Sequence, residues 1–323
     1  MRTTVTFLLT GFFGLFSSIQ TAHAEAVRPV DFINIFEKIA GKHKGVRKNH
    51  AKGICAEGSF LPNPAAIDYF DAALFTLKEK PVVFRFSLPG GNPLTSDNSR
   101  APRGLAAQIT LSSNVKHNIA ALSVPVFAAK DPETFLGLLN ASIPGDDDTT
   151  KIEAFRKKHP DTQAQAEWLK NNLPPWGYNT SEYFGIHTFF VEHKDGSMIK
   201  IRWRLKPRDG LKAIDESELG LNGSNYLEHR LIERLKKSSI DFDWIISLGE
   251  ENDSEDDPTK QWPVRPTINV GTFKVKSSGG NNCESINFDP NVLSQGFLTS
   301  SDPILRMRSP TYAISFGKRI NNN

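Results

Sequence analysis

The segment Val46-Arg47-Lys48-Asn49-His50-Ala51-Lys52-Gly53, closed by Gly58-Ser59-Phe60, is the stretch around which the chain is arranged. A histidine stands three residues after an arginine, with glycines at 53 and 58. An imidazole held there is a candidate general acid–base residue, able to move a proton between two oxygens of a bound substrate. A second stretch lies near the other end: Leu305-Arg306-Met307-Arg308-Ser309-Pro310-Thr311-Tyr312, followed by Arg319. On a helix, the spacing of Arg308 and Tyr312 puts both on one face. Pro310 either opens a helix at Ser309 or kinks a longer one.

Outward from the first stretch, residues 29–42 read as a helix, with Pro29 early and Phe32, Ile33, Phe36 and Ile39 on one stripe. A second helix is expected over 63–77. At 82–88 the period drops to two: Val82, Phe84, Phe86 and Leu88 alternate with Val83, Arg85 and Ser87, a strand with one polar-bearing face. Further strands are expected at 104–111 and 119–127. Asp131-Pro132 marks a helix start, and charged helical sequence surrounds Pro160. Residues 186–191 and 198–205 flank Asp195-Gly196, a hairpin signal. A helix at 225–237 and strands at 242–248 and 268–275 follow, and the acidic run 250–257 between those strands reads as a solvated loop. Hairpin-linked strands with helices set around them describe one α+β domain built on an antiparallel sheet or barrel.

The first 24 residues read as an export signal: Arg2, an apolar core through Phe16, and an Ala22-His23-Ala24 cleavage site. The apolar run is too short to span a bilayer comfortably. The mature domain is therefore expected at 25–323, periplasmic or secreted. A net charge of +3 on 323 residues gives no reason to expect nucleic acid or an anionic membrane as partner. The two cysteines, Cys55 and Cys283, suit one disulfide in an oxidising compartment and are too few for a cysteine-based metal site.

Tyrosine is normally neutral at pH 7, and a neighbouring guanidinium favours its phenolate, a strong axial ligand for ferric haem. Haem carries two propionates, which arginine grips bidentately. Arg47, Arg85 and Arg319 lie beside or within the two stretches, and an inward Arg85 needs a partner.

In order and spacing, these segments resemble the catalase family. The anchors are Arg47-x-x-His50-Ala51-Lys52-Gly53, Val83-Phe84-Arg85-Phe86-Ser87, Ser99-Arg100-Ala101-Pro102-Arg103-Gly104, Val124-Pro125-Val126-Phe127, Ile286-Asn287-Phe288-Asp289-Pro290 and Arg308-x-x-x-Tyr312. The resemblance implies a catalase-like antiparallel β-barrel with surrounding helices, binding haem b. His50 is then the distal histidine, oriented by the Ser87 hydroxyl, and Tyr312 the iron ligand, with Arg308 as its charge partner. Arg47, Arg85 and Arg319 match propionate-binding arginines, and Phe127 and Phe135 match distal aromatics.

Two departures stand out. The family's distal asparagine falls at Leu122, so the amide that holds a second peroxide is missing; the family's valine before the histidine is Asn49. The resemblance also ends near Arg319, short of the C-terminal helical region of typical catalases. This pattern resembles the small catalase-related peroxidases: reduction of hydrogen peroxide or organic hydroperoxides by small organic donors, with weak or no catalase activity. A hydroperoxide-rearranging enzyme akin to allene oxide synthases and a non-catalytic exported haem-binding protein are the alternatives. Oligomeric state stays open.

Overall fold

Period-two alternation builds the centre of the molecule. A computed structural model describes residues 26–145, 148–218 and 220–321; the leader expected at 1–24 lies outside the described residues. Strands β1 (Gly53–Pro62), β2 (Lys80–Ser87), β3 (Gly104–Thr110) and β4 (Lys116–Leu122) pair antiparallel in succession. So do β5 (Tyr183–Glu192), β6 (Met198–Pro207), β7 (Ile240–Leu248) and β8 (Thr267–Ser278). Pairing of β8 with β1, and of β4 with β5 at Leu122 and Phe184, closes these eight strands into a barrel. A short β9 (Phe297–Thr299) adds to the far end of β5. Closure removes the exposed edges of an open sheet.

The barrel interior is aromatic. Phe60, Trp244 and Phe273 meet at ring distances of 4.6–5.4 Å, with Phe84 edge-on to Phe273 at 5.8 Å. Each buried large ring contributes about 3–5 kcal/mol by the cost of truncating it. The same alternation puts Arg85 and Ser87 on the outer face of β2. Register then sets Ser87 beside Gly53 and Gly104, Arg85 beside Cys55 and Ala106, and Leu122 beside Gly104. One patch of outer wall is thereby floored by small residues and edged by polar ones.

The helices are α1 (Pro29–Ala40), α2 (Pro64–Tyr69), α3 (Pro132–Ala141), α4 (Asp148–Lys158), α5 (Gln163–Asn171), α6 (Tyr226–Leu235) and α7 (Pro303–Ile320). Of these, α1, α3 and α7 cover that patch, whereas α2 and α6 pack against β8. Asp131 caps α3 by accepting from Thr134 N at 2.7 Å. Phe32 of α1 stacks on Phe135 of α3 at 5.6 Å, and Glu37 of α1 pairs with Lys48 and with Lys318 of α7 at 3.0 and 3.1 Å.

Several expectations need correction. The helix expected at 63–77 stops at Tyr69, because the amides of Asp71 and Ala73 donate to the carbonyls of Glu192 and Gln295 instead of continuing a helical ladder. The strand expected at 119–127 is β4, starting earlier and ending at Leu122. Strand β9 lies beyond what was expected to be the last strand. The run 250–257 is not simply a solvated loop: Asp253 is buried, accepting from Arg265 at 2.8 Å, and Arg202 donates to the carbonyls of Ser254 and Asp257 at 3.3 Å. Its backbone satisfies the buried Arg202 guanidinium, which a charge count does not reveal. Pro310 sits inside the 18-residue α7.

Candidate active site

His50 holds a backbone conformation that its residue type rarely adopts, with φ of +55°. Left-handed backbone of this kind costs about 1–2 kcal/mol in a non-glycine residue. Local bonds hold it in place. Asn49 Oδ1 accepts from the backbone N–H of His50 at 2.9 Å and of Gly90 at 2.7 Å. Arg85 Nη1 donates to the His50 carbonyl at 2.8 Å, and Arg85 Nη2 to that of Ala51 at 3.1 Å. The imidazole Nδ1 meets Ser87 Oγ at 2.9 Å. Two glycines permit this approach: a Cβ on Gly104 would stand 2.6 Å from Ser87 Oγ and 2.9 Å from the imidazole, and one on Gly53 2.7 Å from the Arg85 guanidinium. Burial, then the charges of Arg85, Arg308 and Arg47, push the His50 pKa down to about 3, so the ring is neutral at pH 7.

Tyr312 stands on α7, one turn after Arg308, whose Nη1 donates to the phenol oxygen at 3.1 Å. Behind them lies a pair the sequence reading did not single out. His187 of β5 and Asp302 are both buried, with Nδ1 2.6 Å from Oδ2. Asp302 is also the N-cap of α7, its Oδ1 accepting from Ile304 N and Leu305 N. Burial first, and the Arg308 charge next, push His187 down to about 4, so its Nδ1–H donates to the carboxylate. Asp302-Pro303 carries the same helix-start signal as Asp131-Pro132 and could have been read as one. That His187 reaches it from β5 has no sequence signature.

The three arginines converge. Arg85 Nε lies 3.3 Å from Glu284 Oε1, while Arg47 Nε and Arg319 Nη1 lie 3.8 and 4.0 Å from Oε2. Arg47 also donates to the carbonyls of Cys283 and Ile286 at 2.9 and 3.1 Å. Burial lowers all three pKa values, Arg47 to about 9 with the Arg85 and Arg319 charges adding to the effect. One half-exposed carboxylate faces three guanidiniums, and the Nε atoms of Arg47 and Arg319 are buried without a hydrogen-bond partner among the described residues. Unbalanced buried cations of this kind suit further carboxylates. Arg85 points outward from the barrel, and its buried charge has a partner within the chain, Glu284, which the sequence reading had not identified. Glu284 is positioned by a neighbour: Cys283 is disulfide-bonded to Cys55 of β1, with their Cα atoms 5.4 Å apart.

These groups share a cavity of about 200 Å³. His50, Ser87, Arg47 and Arg85 line it together with Arg308, Tyr312, Phe127 and Phe135, over a floor of Gly104, Ala106 and Ala120. Arg319 is absent from the wall and joins the cluster through Glu284. Phe127 lies 4.8 Å from the Phe135 ring and also 5.8 Å from the Arg308 guanidinium, so it belongs to both walls. A second cavity, about 10 Å³ inside the barrel, holds at most one water. A small-residue floor, an apolar slot, a phenol and an arginine-rich edge fit a flat iron porphyrin carrying carboxylates.

An eight-stranded closed barrel whose site lies on its outer wall, capped by a terminal helix bearing an arginine–tyrosine pair, defines the catalase class of fold. The structure superposes with TM-score 0.76 on a fungal catalase and 0.75 on catalase A from Saccharomyces cerevisiae, each 23% identical. The aligned regions cover 86% of this chain, and 60% and 62% of those chains. Residues 27–323 match the family model described as Catalase, and the chain belongs to the catalase family. It is 40% identical over 304 residues to a catalase-related peroxidase of Synechococcus elongatus, covering 92% of this chain and 90% of that one. A catalase-related peroxidase of Mycolicibacterium paratuberculosis is 28% identical, with 89% and 93% covered.

Proposed function

We propose that this protein is a haem-dependent peroxidase that reduces hydrogen peroxide or an organic hydroperoxide at the expense of small organic donors, with weak or no catalase activity. The observation that carries the reading is that one cavity joins the His50–Ser87 pair to the Arg308–Tyr312 pair, with an arginine cluster at its edge. Haem b would lie over the small-residue floor, with Tyr312 on the iron and Arg47, Arg85 and Arg319 on its propionates. Bound there, the haem supplies the redox chemistry that peroxide cleavage requires. His50 handles the proton. Its Nδ1 is committed to Ser87, so Nε2 takes the proton from the near oxygen of the peroxide and returns it to the leaving oxygen. A pKa near 3 keeps that nitrogen available across the neutral range. Arg308 donates to the phenol oxygen and orients it, while Phe127 and Phe135 narrow the cavity. Leu122 offers no hydrogen bond to a second peroxide, which is the basis for weak catalase activity. Export through the N-terminal leader is part of the proposal, and the Cys55–Cys283 disulfide suits an oxidising compartment.

The test is a haem titration followed by peroxide kinetics. Expected are a Soret band with the charge-transfer features of ferric phenolate, lost in Tyr312→Phe, and donor-dependent turnover of peroxide. Turnover of a lipid hydroperoxide with no donor present would favour the rearranging enzyme instead. Stoichiometric haem without peroxide reactivity would leave a binding protein, and a folded protein that takes up no haem would end the haem reading.

A further inference from the structure

Beside His50, the cavity wall is mostly apolar: Leu122, Ile186, Phe127 and Phe135. Asn49 belongs to the same wall and differs in kind. Its amide orientation is chemically determined, because both of its close partners are backbone N–H donors, from His50 and Gly90, so the atom facing them must be the oxygen. The other end of the amide, Nδ2, carries two N–H donors, and the structure records no acceptor for it among the described residues. An amide pinned through its oxygen, with its donor end spare, in the wall of a cavity next to the proton-carrying histidine is a preset hydrogen-bond donor for whatever binds there. Preorganised donors of this kind contribute strongly in a water-excluding site, because they need not reorient when the ligand arrives.

We infer that Asn49 Nδ2 donates to the ligand bound on the His50 side of the cavity, from the residue before the histidine and so from a position different from the one Leu122 holds on β4. This rests on the proposed haem site. Asn49 would then have two separable jobs: Oδ1 holds the left-handed His50 backbone, and Nδ2 contacts the substrate oxygen. Asn49 would be a catalytic residue only through the second.

The experiment reads equilibrium fluoride binding to the ferric, haem-loaded protein by its visible spectrum, since a bound fluoride accepts hydrogen bonds from the surrounding wall. Asn49→Val should weaken fluoride binding roughly tenfold, about the worth of one hydrogen bond to a charged group. Adding Leu122→Asn to Asn49→Val should restore most of that loss, because it returns an amide donor to the wall without restoring the backbone pin. Unchanged fluoride affinity in Asn49→Val overturns the inference. So does a loss that Leu122→Asn fails to recover, which would mean that Asn49 acts only by holding the His50 backbone. Should Asn49→Val take up no haem, Asn49→Ser keeps an oxygen for the two backbone donors, loses the amide, and is read the same way. A wild-type protein without haem sinks the functional reading and this inference together. Wild-type fluoride binding matched by the variants sinks this inference alone.

Discussion

At His50, backbone strain and chemistry are concentrated in one residue. The left-handed φ of +55° is tolerated well by asparagine, which therefore makes the cleaner replacement. His50→Asn should fold at least as stably as the wild type and keep haem, while peroxide cleavage falls roughly 10²–10⁴-fold, the usual worth of a positioned acid–base group. Stopped-flow mixing with peroxide checks this, and undiminished cleavage would remove His50 from its role. Gly104 gives a complementary prediction. A methyl there would meet Ser87 Oγ at 2.6 Å and the imidazole at 2.9 Å, so Gly104→Ala must push the two apart. Peroxide turnover should drop while haem uptake persists, and equal turnover in both proteins would show that the contact is slack.

Helix α7 carries Tyr312 and Arg308, and it does so despite an internal proline. Pro310 has no N–H for the Arg306 carbonyl, and its ring crowds the preceding turn. Asn291 braces that turn, its Nδ2 donating to the Leu305 carbonyl at 2.9 Å and to Ser309 Oγ at 2.8 Å. The Cys55–Cys283 link does comparable work for the arginine edge, since it ties the backbone that Arg47 bonds, and Glu284 beside it, to β1. The bridge spans 228 residues of sequence. By the chain-entropy argument, closing so long a loop stabilises the fold by about 5 kcal/mol at most, and by about 2–5 kcal/mol in typical cases. The double variant Cys55→Ser/Cys283→Ser should melt several degrees lower and bind haem more weakly. Melts with and without reductant, alongside haem titrations, measure both. An unaltered haem affinity would uncouple the disulfide from the site.

Over the whole molecule, three histidines set the response to acid: His117 and His187, which are buried, and His50 in the cavity wall. His50 and His117 are pushed down to about 3 and His187 to about 4, each chiefly by burial, against about 6.5 when unfolded. Between those limits the unfolded chain binds more protons than the native one. Stability therefore rises with pH across that window and is lost as pH falls from about 6.5 towards 4, by about 1.4 kcal/mol per pH unit for each histidine. The melting temperature should drop steeply from pH 7 to pH 5. His117→Gln, remote from the cavity and inside the barrel, should reduce that slope by about a third. A flat profile over this range would mean that the histidines are not held neutral by the fold.

Much of this was legible in the chain. The alternation at 82–88, the Asp131-Pro132 helix start and the Asp195-Gly196 hairpin are local signals, because backbone period and turn chemistry are properties of neighbouring residues. The Arg308–Tyr312 contact was equally local, one helical turn apart. What the sequence could not determine was which distant groups would meet. Glu284 against Arg47 and Arg85, His187 against Asp302 and the Cys55–Cys283 pairing all join positions more than 100 residues apart. Their meeting depends on strand register and barrel closure, which no short stretch encodes. The helix expected through residue 77 failed for the same reason: backbone amides at 71 and 73 found better acceptors across the fold than along the chain. Composition and period determined an antiparallel sheet or barrel with helices on it, and the resemblance of the motifs implied the barrel. Only the closed sheet decided that its small residues would form a floor, and that a strained histidine and an arginine-backed tyrosine would line the same cavity above it.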